Sequence, residues 1–244
     1  MQQAMAQLAA AIGQAGHIAV LSGAGMSTES GIPDFRSAQG LWQQGLRLEE
    51  LVSIDYFRAD PEAFWHSFKQ LFHTKLLGNY QPNAGHRFLA WLEEGGKQVS
   101  VLTQNIDGLH GVAGSRQVSE LHGTLRTASC PSCGRQQGLD YINHHVLPLC
   151  TRCMDVLKPD VVLYGEPVPL IEHAFDVAVS ADLLLVLGSS LEVSPVNQIP
   201  LEAARAGVMT ALINYTPTRM DRVFDLTIQA GIGETCQQLR TLLG

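Results

Sequence analysis

Along this chain, short apolar runs that stop at glycine or polar turn residues alternate with longer, half-apolar stretches. Residues 3–14 are helix-forming and half apolar, and His17 to Ser22 form an apolar run halted by Gly23 and Gly25, which predicts a helix, a strand and a glycine-rich turn. The punctuation recurs. Val99–Leu102 runs into Thr103-Gln104-Asn105, Asp160–Leu163 into Gly165, Asp182–Leu187 into Gly188, and Met209–Ile213 into Asn214. The segments 167–180 and 196–206 are too long for hairpins and suit parallel crossovers. The pattern predicts an α/β fold, a doubly wound parallel sheet of Rossmann-like type. Two segments break the rhythm: 38–80, rich in aromatics and helix formers, and 125–157, which carries cysteine pairs amid turn residues. They are read as a helical module and a zinc-binding module that build a smaller inserted domain. The nucleotide-binding domain is then expected to consist of 1–37, 81–124 and 158–244.

Composition narrows the function classes. With 244 residues, 45% of them hydrophobic, the chain has enough apolar side chain for one large core with a smaller module inserted. The formal charge of -7, from 23 acidic and 16 basic residues, works against nucleic-acid binding and modestly favours cationic partners such as lysine-rich segments. No apolar run approaches the roughly 18 residues of a membrane helix. The apolar N-terminal stretch lacks the leading basic residues of a signal peptide, since the first basic residue is Arg36. A soluble, cytoplasmic protein without membrane or nucleic-acid partners is expected.

Candidate chemistry falls at the strand ends. Gly23-Ala24-Gly25 after a strand lets backbone N–H groups approach a pyrophosphate, although two glycines also fit an ordinary turn. Thr28 stands where the usual dinucleotide fingerprint has its third glycine, and the carboxylate expected about 20 residues on is missing, which argues against a hydride-transferring dehydrogenase. Downstream come Thr103-Gln104-Asn105-Ile106-Asp107-Gly108-Leu109-His110 and Glu120-Leu121-His122-Gly123. Cys130-x-x-Cys133, sixteen residues, then Cys150-x-x-Cys153 is spacing for tetrahedral four-thiolate zinc, with every position filled by protein and the role therefore structural. Cys236 stands apart as a buried hydrophobe.

The run GAGMSTESGIPDFRS at 23–37, together with TQNIDGLH and ELHG, resembles the sirtuin family of NAD-dependent protein deacetylases in its bacterial form. The resemblance spans five motifs in order, from Gly23 to about Asn214. It implies NAD as co-substrate, held by Gly23, Ala24, Gly25, Thr28, Asp34, Phe35 and Arg36 in the first loop. Phe35 would shield the reactive sugar. Gln104 and Asn105 would orient the nicotinamide ribose and a water, Ile106 and Asp107 would hold the departing carboxamide, and His122 would be the general base. Gly188, Ser189 and Ser190 would reach the phosphates and Asn214 the adenosine ribose; the adenine contact is expected within 231–236.

Lys158 to Glu166 resembles the family's substrate loop and Gly188 to Val193 its second nucleotide loop, which implies a peptide bound as an added strand. Val162, Tyr164, Gly165, Glu166 and Val193 are the expected substrate contacts, and acetyl-lysine proteins or peptides the expected partners. Sirtuins that prefer succinyl or malonyl groups carry a Tyr and an Arg three residues apart in the helical insertion; Phe68 and Leu71 align there, so uncharged acyl groups are expected. Two alternatives stand beside this reading. One is a sirtuin-fold protein ADP-ribosyltransferase. The other is a zinc-ribbon nucleic-acid module, disfavoured because 125–157 holds only three arginines against two aspartates.

Overall fold

The computed structural model describes residues 2–33, 48–72 and 79–244. Helix Gln2–Gln14 leads into β1 (His17–Ser22), and a 3₁₀ turn, Ala24–Ser30, follows the glycine loop. After helix Ala84–Glu94 come β2 (Gln98–Thr103), a short helix Leu109–Ala113 and β3 (Gln117–Glu120). Later in the chain, β7 (Leu183–Leu187), β8 (Met209–Asn214) and β9 (Leu226–Gln229) alternate with helices Ile171–Val179, Ile199–Arg205 and Ile232–Leu243. These strands form one six-stranded sheet in the order β3-β2-β1-β7-β8-β9, with every pair parallel.

Helices on both faces explain why its central strands are mostly apolar and β7 is apolar end to end. Helices Gln2–Gln14 and Ala84–Glu94 pack against the C-terminal helix, and their Leu8, Ile12, Phe88 and Leu89 join Ile18, Val20, Val101 and Leu185 in one core. Helix Ile199–Arg205 packs on β7 and β8, and also on helix Ile171–Val179. All five residues of β7 are consequently buried, as expected where a parallel strand has no solvent face. The edge strands β3 and β9 escaped the sequence reading because both are partly exposed and lack an apolar run.

The chain divides into two compact units, one of residues 1–34, 81–121 and 169–244 and the other of 35–80 and 122–168. The second unit holds an antiparallel sheet, β5 (Gln136–Gly138), β4 (Gly123–Ser129) and β6 (Lys158–Val161) in that spatial order. This corrects one expectation, since the Asp160–Leu163 run does not belong to the parallel sheet and residues 122–124 and 158–168 group with the small unit. A short apolar run reads alike in either sheet. Here Asp160 fixes the pairing through its carboxylate, which accepts from the Thr127 hydroxyl at 2.5 Å and the Ser129 hydroxyl at 3.1 Å.

Aromatic packing supplies the second unit's core. Helices Ile54–Ala59 and Pro61–Leu71 bring Phe57, Phe64, Trp65 and Phe68 together, with Phe64 and Phe68 stacked at 5.4 Å. The first of these helices is capped by Ser53, which accepts from the Tyr56 N–H, and the second by Asp60, which accepts from the Ala63 N–H. The buried Trp65 indole donates to the Leu157 carbonyl at 2.7 Å, and Lys69 donates to the carbonyls of Ile142 and His145. The helical and cysteine-bearing segments are thereby fastened together inside one unit.

Candidate active site

In the first unit, strand order reverses at β1, whose neighbours are β2 and β7. Open parallel sheets place ligands outside the carboxyl ends of the strands at such a switch point. Two glycine turns meet there: Gly23-Ala24-Gly25 leaves β1 and Gly188-Ser189-Ser190 leaves β7. The Gly23 N–H donates to the Leu187 carbonyl at 3.0 Å and the Gly25 N–H to the Gly188 carbonyl at 2.9 Å. A β-carbon on Gly188 would lie 2.4 Å from the Met26 nitrogen, and the residue sits at φ +62°. Only glycine lets the two turns lie backbone to backbone at the carboxyl ends of β1 and β7, where an open parallel sheet receives an anionic ligand.

The turn after β2 adds amide and carboxylate groups. Gln104 donates to the Ser189 hydroxyl at 2.8 Å and so joins the segments after β2 and β7. Asn105 is 9% exposed; its side-chain amide donates to the Gly23 carbonyl at 3.0 Å and to Ser27 Oγ at 3.1 Å. Ser27 donates in turn to Asp107 Oδ2 at 2.8 Å, while Asp107 Oδ1 accepts from the Leu109 N–H at 2.9 Å. Ile106 is buried between them. Asn214, at the end of β8, turns its amide to the Thr216 carbonyl at 2.8 Å, and Thr28 donates to the Gly25 carbonyl at 3.0 Å. Ser190 is exposed. Asp34, Phe35 and Arg36 lie outside the described residues.

Sequence reasoning passed over several members of this cluster. Ser27 is the hinge between Asn105 and Asp107, yet nothing in its local sequence marks it beyond a small hydroxyl in a glycine-rich loop. Asn83 caps helix Ala84–Glu94, accepting from the N–H groups of Gly85 and His86, and its amide donates to the Met26 carbonyl at 2.7 Å. The cap was legible from Asn83 before a helical run. Its hold on the glycine loop, 57 residues away in sequence, was not.

In the second unit, the half-buried His122 precedes β4, and its carbonyl accepts from the Val162 N–H at 2.9 Å. The expected substrate segment is a tight turn: Gly165 has φ +90°, and the Glu166 carboxylate accepts from the Leu163 N–H and from the Lys158 ammonium, both at 2.9 Å. Tyr164 is exposed and its backbone pairs with the helical segment, donating to the Val52 carbonyl and accepting from the Ile54 N–H. Val162 is half-buried in this unit, and Val193 is half-buried in the first.

The four cysteines fit a metal. The sulfurs of Cys130, Cys133, Cys150 and Cys153 all lie within 4.8 Å of one another, with separations of 3.4 Å for Cys130–Cys153, 3.5 Å for Cys133–Cys150 and 3.7 Å for Cys133–Cys153. Sulfurs about 2.3 Å from a central zinc would be about 3.8 Å apart, whereas a disulfide needs about 2.05 Å. The cluster suits one zinc ion with all four positions filled by protein. Cys236, by contrast, is fully buried in the first unit, and burial pushes its thiol up to about 12.

A doubly wound sheet with paired glycine turns at its switch point, together with a four-cysteine cluster suited to one zinc ion, marks the class of dinucleotide-binding enzymes with a structural metal site. Residues 23–195 match the Sir2 family model, and the chain belongs to that family. It is 70% identical to an NAD-dependent protein deacetylase of Chromobacterium violaceum over 223 residues, 91% of either chain. It is 56% identical to NAD-dependent protein deacetylase 2 of Geobacillus kaustophilus over 236 residues, 96% of either chain. Among solved structures, a Sir2 protein with a deacetylated p53 peptide and 3'-O-acetyl ADP-ribose shares 32% identity at TM-score 0.89, covering 97% of each chain. A Sir2 structure with a p53 peptide and NAD+ shares 33% identity at TM-score 0.86, again covering 97% of each chain.

Proposed function

We propose that this protein is an NAD-dependent protein-lysine deacetylase that transfers the acetyl group of acetyl-lysine to ADP-ribose and releases nicotinamide. The observation that carries the proposal is the cluster of Ser27, Asn105 and Asp107 beside the paired glycine turns, in a Sir2-family chain with its ELHG segment intact. The backbone of Gly23 to Gly25 and of Gly188, with Ser189 and Ser190, would receive the pyrophosphate. Asp107 and the backbone of Ile106 would hold the carboxamide of the leaving nicotinamide, and Gln104 and Asn105 would orient its ribose and a water. The reaction breaks the glycosidic bond to nicotinamide, with the acyl carbonyl oxygen as its partner at the sugar carbon. His122 would take the proton from a ribose hydroxyl as that oxygen attacks the acyl carbon. The lysine amine then leaves the acyl carbon carrying the proton from His122, and water adds at that carbon in its place, so that the products are lysine, nicotinamide and acetyl-ADP-ribose. A neutral imidazole offers a ring-nitrogen lone pair to accept that proton.

Phe35 is proposed to shield the reactive sugar, Thr28, Asp34 and Arg36 to contact the cofactor and Asn214 to bind the adenosine ribose. Val162, Tyr164, Gly165, Glu166 and Val193 are proposed to receive the acyl-lysine segment. Phe68 is fully occupied by its aromatic neighbours, and no guanidinium stands at Leu71, which supports acetyl and other uncharged acyl groups. Among the described residues no helix is long and apolar enough to cross a membrane. The need for four reduced thiols favours a reducing compartment, the cytoplasm.

Mass spectrometry of an acetyl-lysine peptide incubated with the protein and NAD tests the proposal. Nicotinamide and acetyl-ADP-ribose are expected in equal amounts, with a loss of at least about 100-fold in His122→Ala. Nicotinamide release with ADP-ribosylated protein and no acetyl-ADP-ribose would reassign the chain as a transferase.

A further inference from the structure

His110 ends the TQNIDGLH segment and has no part in the chemistry above, yet it is 1% exposed and surrounded by buried polar groups. Its Nε2 lies 2.8 Å from Ser22 Oγ, and Ser22 donates to Thr103 Oγ1 at 2.8 Å. Thr103 Oγ1 also accepts the Asn105 N–H at 3.0 Å, and Asn105 continues through Ser27 to Asp107. An unbroken chain of hydrogen bonds, all within the first unit, runs from this imidazole to the groups assigned to nicotinamide.

The direction of the Ser22–Thr103 hydrogen bond sets the tautomer. When Ser22 gives its proton to Thr103, the Ser22 oxygen accepts from His110, which then carries its hydrogen on Nε2 and leaves Nδ1, an atom with no partner, as a bare lone pair. His86, fully buried, accepts the Asn83 N–H at Nδ1 and therefore carries its hydrogen on Nε2. The two rings lie 4.8 Å apart at 61°. His86 Nε2 and His110 Nδ1 have no partner in the structure, so protonating His86 would turn a donor toward the Asn83 N–H and protonating His110 would add a second unpartnered N–H; both imidazoles are neutral spacers. Burial, and then the neighbouring His86, holds His110 down at about 3. An apolar pair would fill this space at less desolvation cost, which makes the polar chain a device for holding orientation.

We infer that His110 is a positioning residue: its Nε2–H, delivered to Ser22, sets through Thr103 the orientation of Asn105, Ser27 and Asp107, and thereby the protein's hold on nicotinamide. The inference rests on the deacetylase reading above. Phenylalanine at 110 keeps the ring and removes the donor; glutamine places an N–H close to the position of Nε2. In His110→Phe, the nicotinamide concentration for half-inhibition and the NAD KM are expected to rise about tenfold, as for loss of one buried hydrogen-bond partner, with the acetyl-peptide KM unchanged within about twofold. His110→Gln is expected to recover most of this loss. Ser22→Ala cuts the same chain at its next link and should reproduce the split even if the phenylalanine variant does not fold.

Imidazole ¹⁵N shifts give a readout independent of turnover. The resonances absent from His110→Gln should show a protonated Nε2 and a bare Nδ1 in wild type, unchanged through neutral pH. Unchanged nicotinamide inhibition in a folded His110→Phe or in Ser22→Ala, a glutamine variant as impaired as the phenylalanine one, or an Nδ1–H tautomer would overturn the inference. A wild type that releases no nicotinamide from NAD and acetyl-peptide would instead sink the deacetylase reading, leaving the tautomer result to judge His110.

Discussion

Single atoms decide several positions. A β-carbon on Gly123 would fall 2.0 Å from the Asp160 carbonyl oxygen, and its φ is +75°. Gly123→Ala must therefore separate β4 from β6 immediately after His122. We expect a loss of about 3 kcal/mol in urea unfolding, from left-handed strain together with overpacking, and a parallel fall in deacetylation. Gly233 is constrained differently. Its own φ is unexceptional, but an added β-carbon would meet Glu29 Oε2 at 1.9 Å, because that carboxylate sits directly on the first turn of the last helix. The first residue identified as a glycine for turning and the second as a glycine for contact look the same in sequence.

At the scale of elements, the interest lies in what fixes one segment to another. Helix Ile232–Leu243 starts at Gly231, which offers no side-chain cap; the missing acceptor comes from Glu29 across 204 residues, 2.9 Å from the Gly233 N–H. Glu29→Ala is expected to lower the melting temperature by about 2–4 °C, the usual effect of a lost cap in a chain of this size, measured by calorimetry. It should also raise the NAD KM, since Glu29 belongs to the turn that follows the glycine loop. Removing zinc with a strong chelator should unfold the second unit, because β4 and β6 flank the cysteine loops and Trp65 is bonded to Leu157 beside them. Loss of near-ultraviolet tryptophan dichroism together with deacetylation is the expected result, and activity that persists in a demonstrably zinc-free protein would contradict a structural role for the metal.

For the whole molecule, acid stability follows from the buried imidazoles. Burial lowers His86 to about 4 and His110 to about 3 from 6.5, so the unfolded chain takes up protons that the native state refuses. Stability from this source is complete above about pH 6.5 and falls as pH drops toward 4, by at most about 1.4 kcal/mol per pH unit for each group. His110→Phe should make the slope of unfolding free energy against pH shallower by about that amount between pH 6 and 4.5; identical slopes would mean the imidazole is not buried neutral. The sequence by itself determined much of the plan: short apolar strand runs, glycine turns after β1 and β7, cysteine spacing fit for zinc, and the family motifs that nominate His122. Each of these is written in adjacent residues. What only the tertiary structure decided was partnership at long range. It paired β6 with β4 instead of with the parallel sheet, added the half-exposed edge strands β3 and β9, and joined Asn83 to Met26, Glu29 to Gly233 and His110 to Ser22. The physical reason is that hydrophobic periodicity specifies which face of a segment is buried, whereas a hydrogen-bond partner is chosen by the three-dimensional position of a single donor and acceptor.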